Sequence, residues 1–272
     1  MESELFNFDI IKPIIVNLLS KFDKKIMTTI GSTGGRNILG RVCIFHRGGG
    51  KKRLYRPIDF IRRVNDYGTV IKIYKAAKRT AFIGTILYLN GLLSNLLMAE
   101  NSRIGSLLFN GTYIPKEYAA KDAHGWTVPI QYCNLFSIIS NIERIPFKGS
   151  QIVRAAGGSA VLATLKKTQY TIKLSSGWQL IVTGTCLATL GKLSNFHHRY
   201  ESRKKAGVVR NLGIRPTVRG VVKNPCDHPH GGGEGKGSPP RAQVSPWGKL
   251  TKGTPTNNKI KDRLNRRLYR TL

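Results

Sequence analysis

The segment that decides the fold is Ala81–Ala99, which reads AFIGTILYLNGLLSNLLMA. Its apolar content raises the question of a membrane-spanning helix, but such a helix needs about 20 uninterrupted apolar residues. Asn90-Gly91 stands in the middle and is a strong signal for a type I′ hairpin turn, and Asn95 adds a second polar interruption. The segment therefore predicts two antiparallel strands, at about 81–89 and 92–98, in place of a membrane span.

Two groups of short segments rich in β-forming residues predict two small barrels. The hairpin belongs to the first group, together with strand-like segments at Val42–Phe45 and Thr69–Tyr74. The second group begins near Trp126, where apolar and polar residues alternate with the period of a half-buried strand and Ser176-Gly177 forms a turn. The strands predicted for this second group are Ala160–Leu165, Gln169–Leu174 and Trp178–Val182.

The two ends of the chain differ from this β-rich middle. Residues 5–19 place apolar side chains at three- and four-residue intervals, which predicts a short amphipathic docking helix that Pro13 starts or breaks. After about Gly207 the periodicity disappears, and Gly, Pro, Arg and Lys dominate. Such a tail cannot build a core of its own, so its order has to come from a partner.

The charge of the chain points to the nature of that partner. The 272 residues carry 45 Lys plus Arg against 14 Asp plus Glu, a net charge of +31. A chain so charged repels itself unless a polyanion neutralises it, which makes nucleic acid the leading partner. Residues 1–30 have no net charge, 31–79 have +11, 80–202 have +6 and 203–272 have +14. Two basic blocks therefore flank a nearly ordinary globular middle.

The cysteines and the start of the chain bear on the compartment. No two of Cys43, Cys133, Cys186 and Cys226 form a C-x-x-C pair. This spacing favours neither a disulfide framework nor a tetrathiolate zinc site, so a reducing compartment fits best. Met1–Glu4 is acidic where a secretory signal or transit peptide would be basic. We therefore expect the protein to be made where it works.

The first basic block combines cations with a glycine run, Gly48–Gly50. Glycines let a backbone approach a phosphate chain closely, and the flanking Arg and Lys donate charge-assisted hydrogen bonds to phosphate oxygens. A solvated loop between strands is the alternative, but thirteen cations in residues 31–79 favour an anionic partner. Neither Lys51 nor Lys236 completes the G-x-x-x-x-G-K-[ST] loop of nucleotide-binding proteins.

The densest cluster of reactive side chains is Asp227–Gly235, with Cys226 before it, and three interpretations of it compete. A metal site of Cys226, His228 and His230 lacks a fourth ligand at a familiar spacing. A catalytic pair of Asp227 with a histidine lacks any nucleophile signature. A turn packed into RNA explains more of the residues at once, because histidines stack on bases, prolines restrict the chain and glycines fit a tight groove.

Five motifs then suggest a family. They are Gly35–Asn37, His46–Phe60, Arg215–Gly220, Asn224–His230 and Pro246–Lys249. These residues closely resemble the universal L-two family of large-subunit ribosomal proteins, over about residues 34–255. The resemblance implies an OB-fold domain, a following SH3-like barrel and a C-terminal extension that penetrates rRNA near the peptidyl-transferase region. It also implies a non-enzymatic protein that supports subunit association and the assembly of that region.

The residues and the resemblance together predict a mainly β chain in four parts. Residues 1–30 are an N-terminal extension that is helical, 31–122 an OB-fold RNA-binding domain, 123–203 an SH3-like barrel and 204–272 a long, extended basic tail. The expected partners are large-subunit rRNA, neighbouring ribosomal proteins and the small subunit across the subunit interface, with no membrane. No cofactor is expected, apart from structural Mg²⁺ bound to the rRNA nearby.

The predicted rRNA contacts come from both basic blocks and from one turn between them. His228 matches a C-terminal histidine of the family that lies close to the catalytic region, and it is expected to contact RNA and not to act as a general base. Arg154 lies in Gly149–Gly157, which matches a family turn. The predicted contacts are Arg36, Asn37, Arg41, His46, Arg47, Lys51, Lys52, Arg53, Arg56, Arg62, Arg63, Arg154, Arg215, Arg219, Lys223, His228, His230, Lys236, Arg241, Trp247, Lys249 and Lys252.

The chain also departs from the family pattern. Residues 1–30 are neutral where the family has a basic arm, Lys75–Arg79 stands where the family has Asp-Pro-Asn-Arg, residues 96–150 diverge, and Arg270–Leu272 differs from the usual basic end. With abundant Ile, Asn and Tyr, this divergence resembles a protein encoded in an A+T-rich organelle genome. We expect a mitochondrial ribosome, in the matrix, with a plastid or the bacterial cytoplasm as the alternative.

Two other functions compete with the ribosomal one. A metal-dependent hydrolase or nuclease would use Asp227, His228 and His230, and it would hold a stoichiometric metal ion. A free regulatory RNA-binding module would act outside the ribosome, and it would sediment apart from large subunits.

Overall fold

The computed structural model describes residues 26–62, 64–112, 123–166, 168–235, 237, 241–253 and 268–270. The helix predicted at residues 5–19 lies outside them. The chain divides into two compact units, which we describe separately. Unit 1 consists of the described residues of Met1–Ile30, Lys52–Ser202 and Arg267–Leu272, and unit 2 of those of Gly31–Lys51 and Arg203–Arg266.

Unit 1 contains the strands of the described residues. They are β1 Thr28–Ile30, β2 Arg53–Tyr55, β3 Asp66–Lys75, β4 Phe82–Tyr88, β5 Leu93–Leu97, β6 Leu107–Asn110, β7 Thr127–Pro129, β8 Ile138–Ser140, β9 Ile142–Glu143, β10 Ser150–Ile152, β11 Ala160–Lys166, β12 Gln169–Leu174, β13 Trp178–Thr183, β14 Leu187–Leu190 and β15 Leu268–Arg270. Eleven of them form one sheet in the order β15-β13-β12-β11-β8-β14-β7-β6-β3-β4-β5, while β1–β2 and β9–β10 form separate pairs. The mainly β fold class is confirmed, as an OB-fold barrel followed by an SH3-like barrel.

The helices of the described residues are short. Unit 1 has 3-10 turns at Ile130–Tyr132 and Phe196–Tyr200, and unit 2 has one at Gly220–Val222 together with helix α1, Ala206–Asn211. Within the part of the chain that the structure describes, no helix has the length and apolar character that crossing a membrane requires.

The hairpin predicted from Ala81–Ala99 is confirmed as β4 and β5, paired antiparallel. Its turn is not type I′, because Gly91 has φ of +79° whereas Asn90 does not have a positive φ. The Gly91 N–H donates to the Tyr88 carbonyl oxygen (2.9 Å), and the Tyr88 N–H donates to that of Leu92 (3.0 Å). This is the pattern of a longer hairpin loop with a left-handed glycine at its end.

Two large apolar cores, and a smaller one around Ala81, Ile83, Leu97 and Leu193, hold the barrels of unit 1 together. Each large apolar side chain that is fully buried stabilises the fold by roughly 1.5–3 kcal/mol relative to an exposed one. The first core consists of Val70, Ile86, Tyr88, Leu96, Met98, Leu108, Phe109, Ala123, Trp126 and Val128. The second consists of Ile130, Ile139, Ile142, Ala160, Leu162, Ile172, Leu180, Val182, Cys186 and Ala188.

The strands predicted for the second barrel are confirmed within one residue, as β11, β12 and β13. Gly177 has φ of +85° and its N–H donates to the Leu174 carbonyl oxygen (3.0 Å), so the predicted turn at Ser176-Gly177 is present. Ile172 is fully buried while Lys173 is exposed, as the sequence indicates, but Thr171 is also buried, so the alternation holds only in part.

The strand predicted at Val42–Phe45 is wrong, although Thr69–Tyr74 lies within β3 as expected. The Gly35 carbonyl oxygen accepts hydrogen bonds from both Cys43 (2.9 Å) and Ile44 (3.0 Å), so the backbone turns instead of entering a ladder. Ile44 is 57% and Phe45 45% exposed, because this apolar segment belongs to unit 2 and not to the first barrel.

A buried arginine joins the two barrels of unit 1. Arg62 is only 4% exposed, and its Nη1 donates to Asn110 Oδ1 of β6 (2.7 Å) and Thr127 Oγ1 of β7 (2.5 Å). Thr127 Oγ1 is in turn 3.0 Å from Thr189 Oγ1 of β14. Desolvation lowers the pKa of Arg62, against the opposing effects of Tyr88 and other neighbouring groups. The sequence placed Arg62 among the rRNA contacts; this is corrected, because its guanidinium is enclosed by the protein.

Replacing Thr127 by Val tests this junction, because valine keeps the shape of threonine but cannot accept the hydrogen bond of the buried guanidinium. We expect the free energy of unfolding to fall by about 1–3 kcal/mol, measured by urea denaturation. Thr164→Val, at an exposed position of β11, is the matched control and should stay within about 0.5 kcal/mol of wild type. Equal stability of the two variants would show that the junction does not depend on this bond.

Candidate nucleic-acid interface

Unit 2 brings together the start of the first basic block, Gly31–Lys51, and the second block from Arg203 onward, two segments that lie more than 150 residues apart in sequence. The Gly48 N–H donates to the Gly213 carbonyl oxygen (2.9 Å), and the Lys51 N–H donates to that of Asn211 (3.1 Å). In the opposite direction, the Arg215 N–H donates to the His46 carbonyl oxygen (3.0 Å). The first block therefore pairs with the start of the C-terminal segment, and the four-part division of the chain stays a prediction.

The glycines of these blocks allow close approach between segments of the protein itself. A Cβ added at Gly50 would lie 2.8 Å from the Gly213 nitrogen, closer than real Cβ atoms come. One added at Gly231 would collide with the carbonyl oxygens of Lys223 and Asn224. Gly49 has open space around it, but its φ of +66° is a left-handed conformation that favours glycine. The glycine run thus serves the fold of unit 2 as well as any approach to phosphate.

The His228–His230 turn is held by its own hydrogen bonds. The Asn224 carbonyl oxygen accepts from the N–H groups of Asp227 (3.0 Å) and His228 (3.2 Å). His228 Nδ1 accepts from the His230 N–H (3.0 Å), so the neutral ring carries its proton on Nε2. A Cβ at Gly220 would lie 2.7 Å from the His228 ring, which therefore packs on the backbone of Gly220.

The His228 imidazole is consequently covered in large part by its own turn. Its side chain is 8% exposed, and desolvation, followed by the charges of His230 and Lys223, lowers its pKa. The direct RNA contact expected of His228 stays a prediction, and most of the imidazole surface is covered by its own chain. His230 is more exposed, and its Nε2 lies 3.2 Å from both the Ala242 carbonyl oxygen and the Val244 nitrogen.

The remaining predicted contacts of unit 2 lie on its surface, at least in part. Phe45 and Trp247 stack at 6.0 Å between ring centroids, and Lys223 Nζ lies 5.7 Å from the Phe45 centroid. Lys236 lies outside the described residues. The exposed or half-buried predicted residues are Arg36, Asn37, Arg41, His46, Arg47, Lys51, Arg215, Arg219, Lys223, His230, Arg241, Trp247, Lys249 and Lys252.

Unit 1 presents a second basic surface, which we call the stacked-arginine surface: Arg56, Arg79 and Arg154 with the rings beneath them. The Cζ of Arg56 lies 4.2 Å from the Tyr74 centroid. Those of Arg79 and Arg154 lie 5.1 and 4.7 Å from the centroid of Phe60. Such stacking fixes a guanidinium while leaving its N–H edge able to donate to an anion.

Arg79 and Arg154 are like charges held close together. Desolvation lowers the pKa of Arg154, and the charge of Arg79 lowers it further. No carboxylate of the described residues forms an ion pair with either guanidinium. Because the two repel each other, an anion bound there would be favoured, and phosphate oxygens match the donor geometry of arginine.

The predictions for unit 1 identified this surface only in part. Arg56 and Arg154 belong to it, and Lys52 and Arg53 lie near the start of the same segment, whereas Arg63 lies outside the described residues. Arg79 is not among the predicted contacts, because Lys75–Arg79 was interpreted only as a departure from the family pattern. The signal was present in that run, which holds three cations in five residues.

The described residues offer no support for the metal or nucleophile alternatives. Among them, no group of three His, Cys, Asp or Glu side chains is placed to hold a metal ion. Asp227 is exposed while His228 is buried, so the two do not face one cavity. Burial raises the pKa of the Cys133 thiol to about 12, which keeps it protonated at neutral pH.

The fold and these surfaces define a class. A mainly β scaffold that carries arginines stacked on aromatic rings, together with a glycine-rich unit lined by cations, is a nucleic-acid-binding protein.

Comparison with known proteins then gives the family. The family model described as "Ribosomal Proteins L2, RNA binding N-terminal domain" matches residues 23–110, and "Ribosomal Proteins L2, C-terminal domain" matches residues 123–248. Large ribosomal subunit protein uL2 from Hyphomonas neptunium is 45% identical over 243 residues, 89% of this chain and 86% of the relative. The protein of the same name from Orientia tsutsugamushi is 46% identical over 242 residues, 88% of this chain and 86% of the relative. The chain belongs to the L-two family of ribosomal proteins.

The His228 turn makes a prediction about pH. Because its folded pKa is lowered, the stability that neutral His228 contributes is fully present above the ordinary pKa of about 6.5 and is lost as pH falls through the folded value. Protonation of Nδ1 removes the acceptor of the His230 N–H. We expect the hydrogen-exchange protection of that amide, corrected for intrinsic rate, to decrease on acidification below about pH 6.5. The Asp227 amide, which donates to Asn224, is the internal control. Constant protection at His230 across this range would contradict the assignment.

Proposed function

We propose that this chain is a structural constituent of the large ribosomal subunit that binds large-subunit rRNA without catalytic turnover. Membership of the family and the printed names of the bacterial relatives support this function. The observation that carries it is the stacked-arginine surface, where Arg79 and Arg154 share the Phe60 ring with no carboxylate paired to them among the described residues.

The arrangement explains how rRNA binds to unit 1. The rings hold the guanidiniums before RNA arrives, so little side-chain entropy is lost when they meet phosphates. Each phosphate contact releases condensed counterions and also relieves the repulsion between Arg79 and Arg154. Phosphate contacts of this kind set the position of the protein and are not selective for base identity.

Unit 2 supplies the second rRNA contact. Its backbone pairing brings the cations of Gly31–Lys51 and those of the second basic block onto one compact unit, and the side chains of most of those that the structure describes reach the surface. We place this unit against rRNA near the peptidyl-transferase region. There it supports assembly of the region and association with the small subunit, next to neighbouring ribosomal proteins. His228 acts by shaping the turn, and Mg²⁺ belongs to the surrounding rRNA.

We assign the protein to a ribosome of the mitochondrial matrix, with a plastid or the bacterial cytoplasm as the alternative. Divergence within residues 96–150 and the abundance of Ile, Asn and Tyr support an organelle origin. The bacterial relatives, 43–46% identical to the chain, are compatible with the alternative as well.

The rRNA interface predicts a specific salt dependence. We expect Arg154→Gln to weaken binding to large-subunit rRNA about tenfold and to lower the slope of log affinity against log salt by roughly 0.7–0.9, because one phosphate contact is lost. Arg79→Gln should act in the same direction. The double variant should lose less than the product of the two effects, because the relief of their mutual repulsion on binding phosphate is lost in either single variant and only once in the double. Filter binding over a salt series measures all three.

Arg103→Gln is the matched control, because Arg103 is exposed in the turn before β6 and carries the same charge. Its affinity and slope should stay close to those of wild type. If Arg103→Gln and Arg154→Gln weakened binding equally, the effect would come from net charge alone and not from the stacked-arginine surface.

Sedimentation of the native protein tests the function itself. In lysates of the source cells or organelles, resolved on sucrose gradients, the protein should comigrate with large subunits and stay with them after subunit dissociation at low Mg²⁺. A separate slow-sedimenting pool containing most of the protein would favour the free regulatory module. Stoichiometric zinc or manganese in the purified protein, lost in His228→Ala, would favour the hydrolase.

A further inference from the structure

The 3-10 turn Phe196–Tyr200, which reads FHHRY, exposes an unusual set of side chains in unit 1. Four of its five residues carry rings, the fifth is an arginine, and none of the five is buried. Phe196 is 39% and Tyr200 64% exposed. Aromatic side chains of this size normally contribute to a core, so five consecutive residues without burial indicate a surface kept for a partner.

The rings of this turn lie against one another. The centroids of Phe196 and His197 are 5.3 Å apart, and those of Phe196 and Tyr200 are 6.2 Å apart at 70°. Arg199 Cζ lies 5.2 Å from the Tyr200 centroid. A cluster of edge-to-face rings with a guanidinium on one of them leaves flat aromatic surface on its outer side.

The turn is fixed to the barrel from both ends. At its start, Asn195 is left-handed (φ +64°) and its Nδ2 donates to the Thr80 carbonyl oxygen (2.6 Å). At its end, Glu201 accepts from Lys75 Nζ (3.0 Å) and lies 3.0 Å from His198 Nδ1. The exposed rings therefore stand on a backbone that is already ordered without a partner.

The same anchors place the turn beside the stacked-arginine surface. Thr80 follows Arg79 directly, and its Oγ1 accepts from the Ala156 N–H (3.0 Å) in the loop that carries Arg154. A Cβ at Gly157 would lie 3.1 Å from Phe196 Cα, so this loop passes directly against the turn. Flat aromatic surface and the guanidiniums of Arg79 and Arg154 thus lie side by side. Arg154 Nη1 donates one hydrogen bond to the Ser150 carbonyl oxygen (3.2 Å), which helps to hold that guanidinium in place.

We propose that Phe196–Tyr200 is a stacking platform for unpaired bases of RNA whose backbone phosphates bind Arg79 and Arg154. This site rests on the proposed rRNA binding and deepens it, because it assigns a single-stranded segment to this surface. Stacked rings next to phosphate-binding cations are the combination by which proteins hold single strands, whereas a duplex keeps its base faces covered. A protein partner would gain from the rings but would need an acidic surface to match Arg79, Arg154 and Arg199, whereas any RNA strand supplies that negative charge.

Tyr200→Ala in the full-length protein tests the platform. The probes are a fluorescent single-stranded oligoadenylate and an RNA duplex of the same length, titrated by anisotropy over a salt series. Stacking of one base is expected to account for about a tenfold change, so affinity for the single strand should fall about tenfold. The salt slope should not change, because no phosphate contact is lost, and affinity for the duplex should stay at the wild-type value.

Two further variants serve as controls. Tyr200→Phe keeps the ring and should retain single-strand affinity, and Tyr132→Ala removes a tyrosine that is 45% exposed in the other 3-10 turn of unit 1 and should have no effect. Wild-type affinity of Tyr200→Ala for the single strand, or an equal loss on the duplex, would overturn the platform. The platform would also be overturned if Tyr200→Ala kept its affinity for the single strand while subunits containing it lost a neighbouring protein. That result would make the turn a protein contact. In either case cosedimentation with large subunits tests the proposed function separately.

Discussion

The stacked-arginine surface of unit 1 depends on the hydrogen bonds of the buried Arg62 guanidinium. Removing a cation from water is unfavourable by several kcal/mol, and the hydrogen bonds to Asn110 and Thr127 offset this only if both strands stay in place. The same segment turns at Asp59, whose Oδ1 accepts from the N–H groups of Ile61 (3.0 Å) and Arg62 (2.9 Å). Phe60 lies inside that turn, so the ring beneath Arg79 and Arg154 is positioned by the residues that fix the junction of the two barrels.

A second buried ionisable side chain, that of Glu143, helps to fix the backbone of Phe60. Glu143 is fully buried, and its carboxylate oxygens accept from the N–H groups of Gly149 (3.0 Å) and Leu187 (3.0 Å). The next residue, Ser150, donates its N–H to the Phe60 carbonyl oxygen (2.9 Å). Desolvation raises the pKa of Glu143, and the hydrogen bonds from those donors oppose the shift. Two buried ionisable groups, Arg62 and Glu143, therefore help to determine where Phe60 and the arginines stacked on it stand.

The sequence predicts what depends on local pattern and misses what depends on distant contacts. The hairpin at Asn90-Gly91 follows from turn chemistry and from apolar runs long enough for strands, and both are local. Val42–Phe45 has the same local character, yet its backbone is bonded to Gly35. Nothing in a window of that length reveals that the residues after it, His46–Lys51, pair with residues past 203. Arg62 is indistinguishable in sequence from a surface cation, because only the approach of Asn110 and Thr127 makes it a core residue.

Aromatic rings under arginines help a chain with a net charge of +31 to fold, because they hold some of its cations in place. A free arginine side chain moves away from like charges, whereas one stacked on Phe60 or Tyr74 gains cation–π and packing energy that holds it near its neighbours. Repulsion between neighbouring arginines remains in the free protein and destabilises it slightly. A bound anion would remove that repulsion. The sequence therefore needs only modest apolar cores to fold, because the electrostatic term that opposes folding becomes a favourable term on binding RNA.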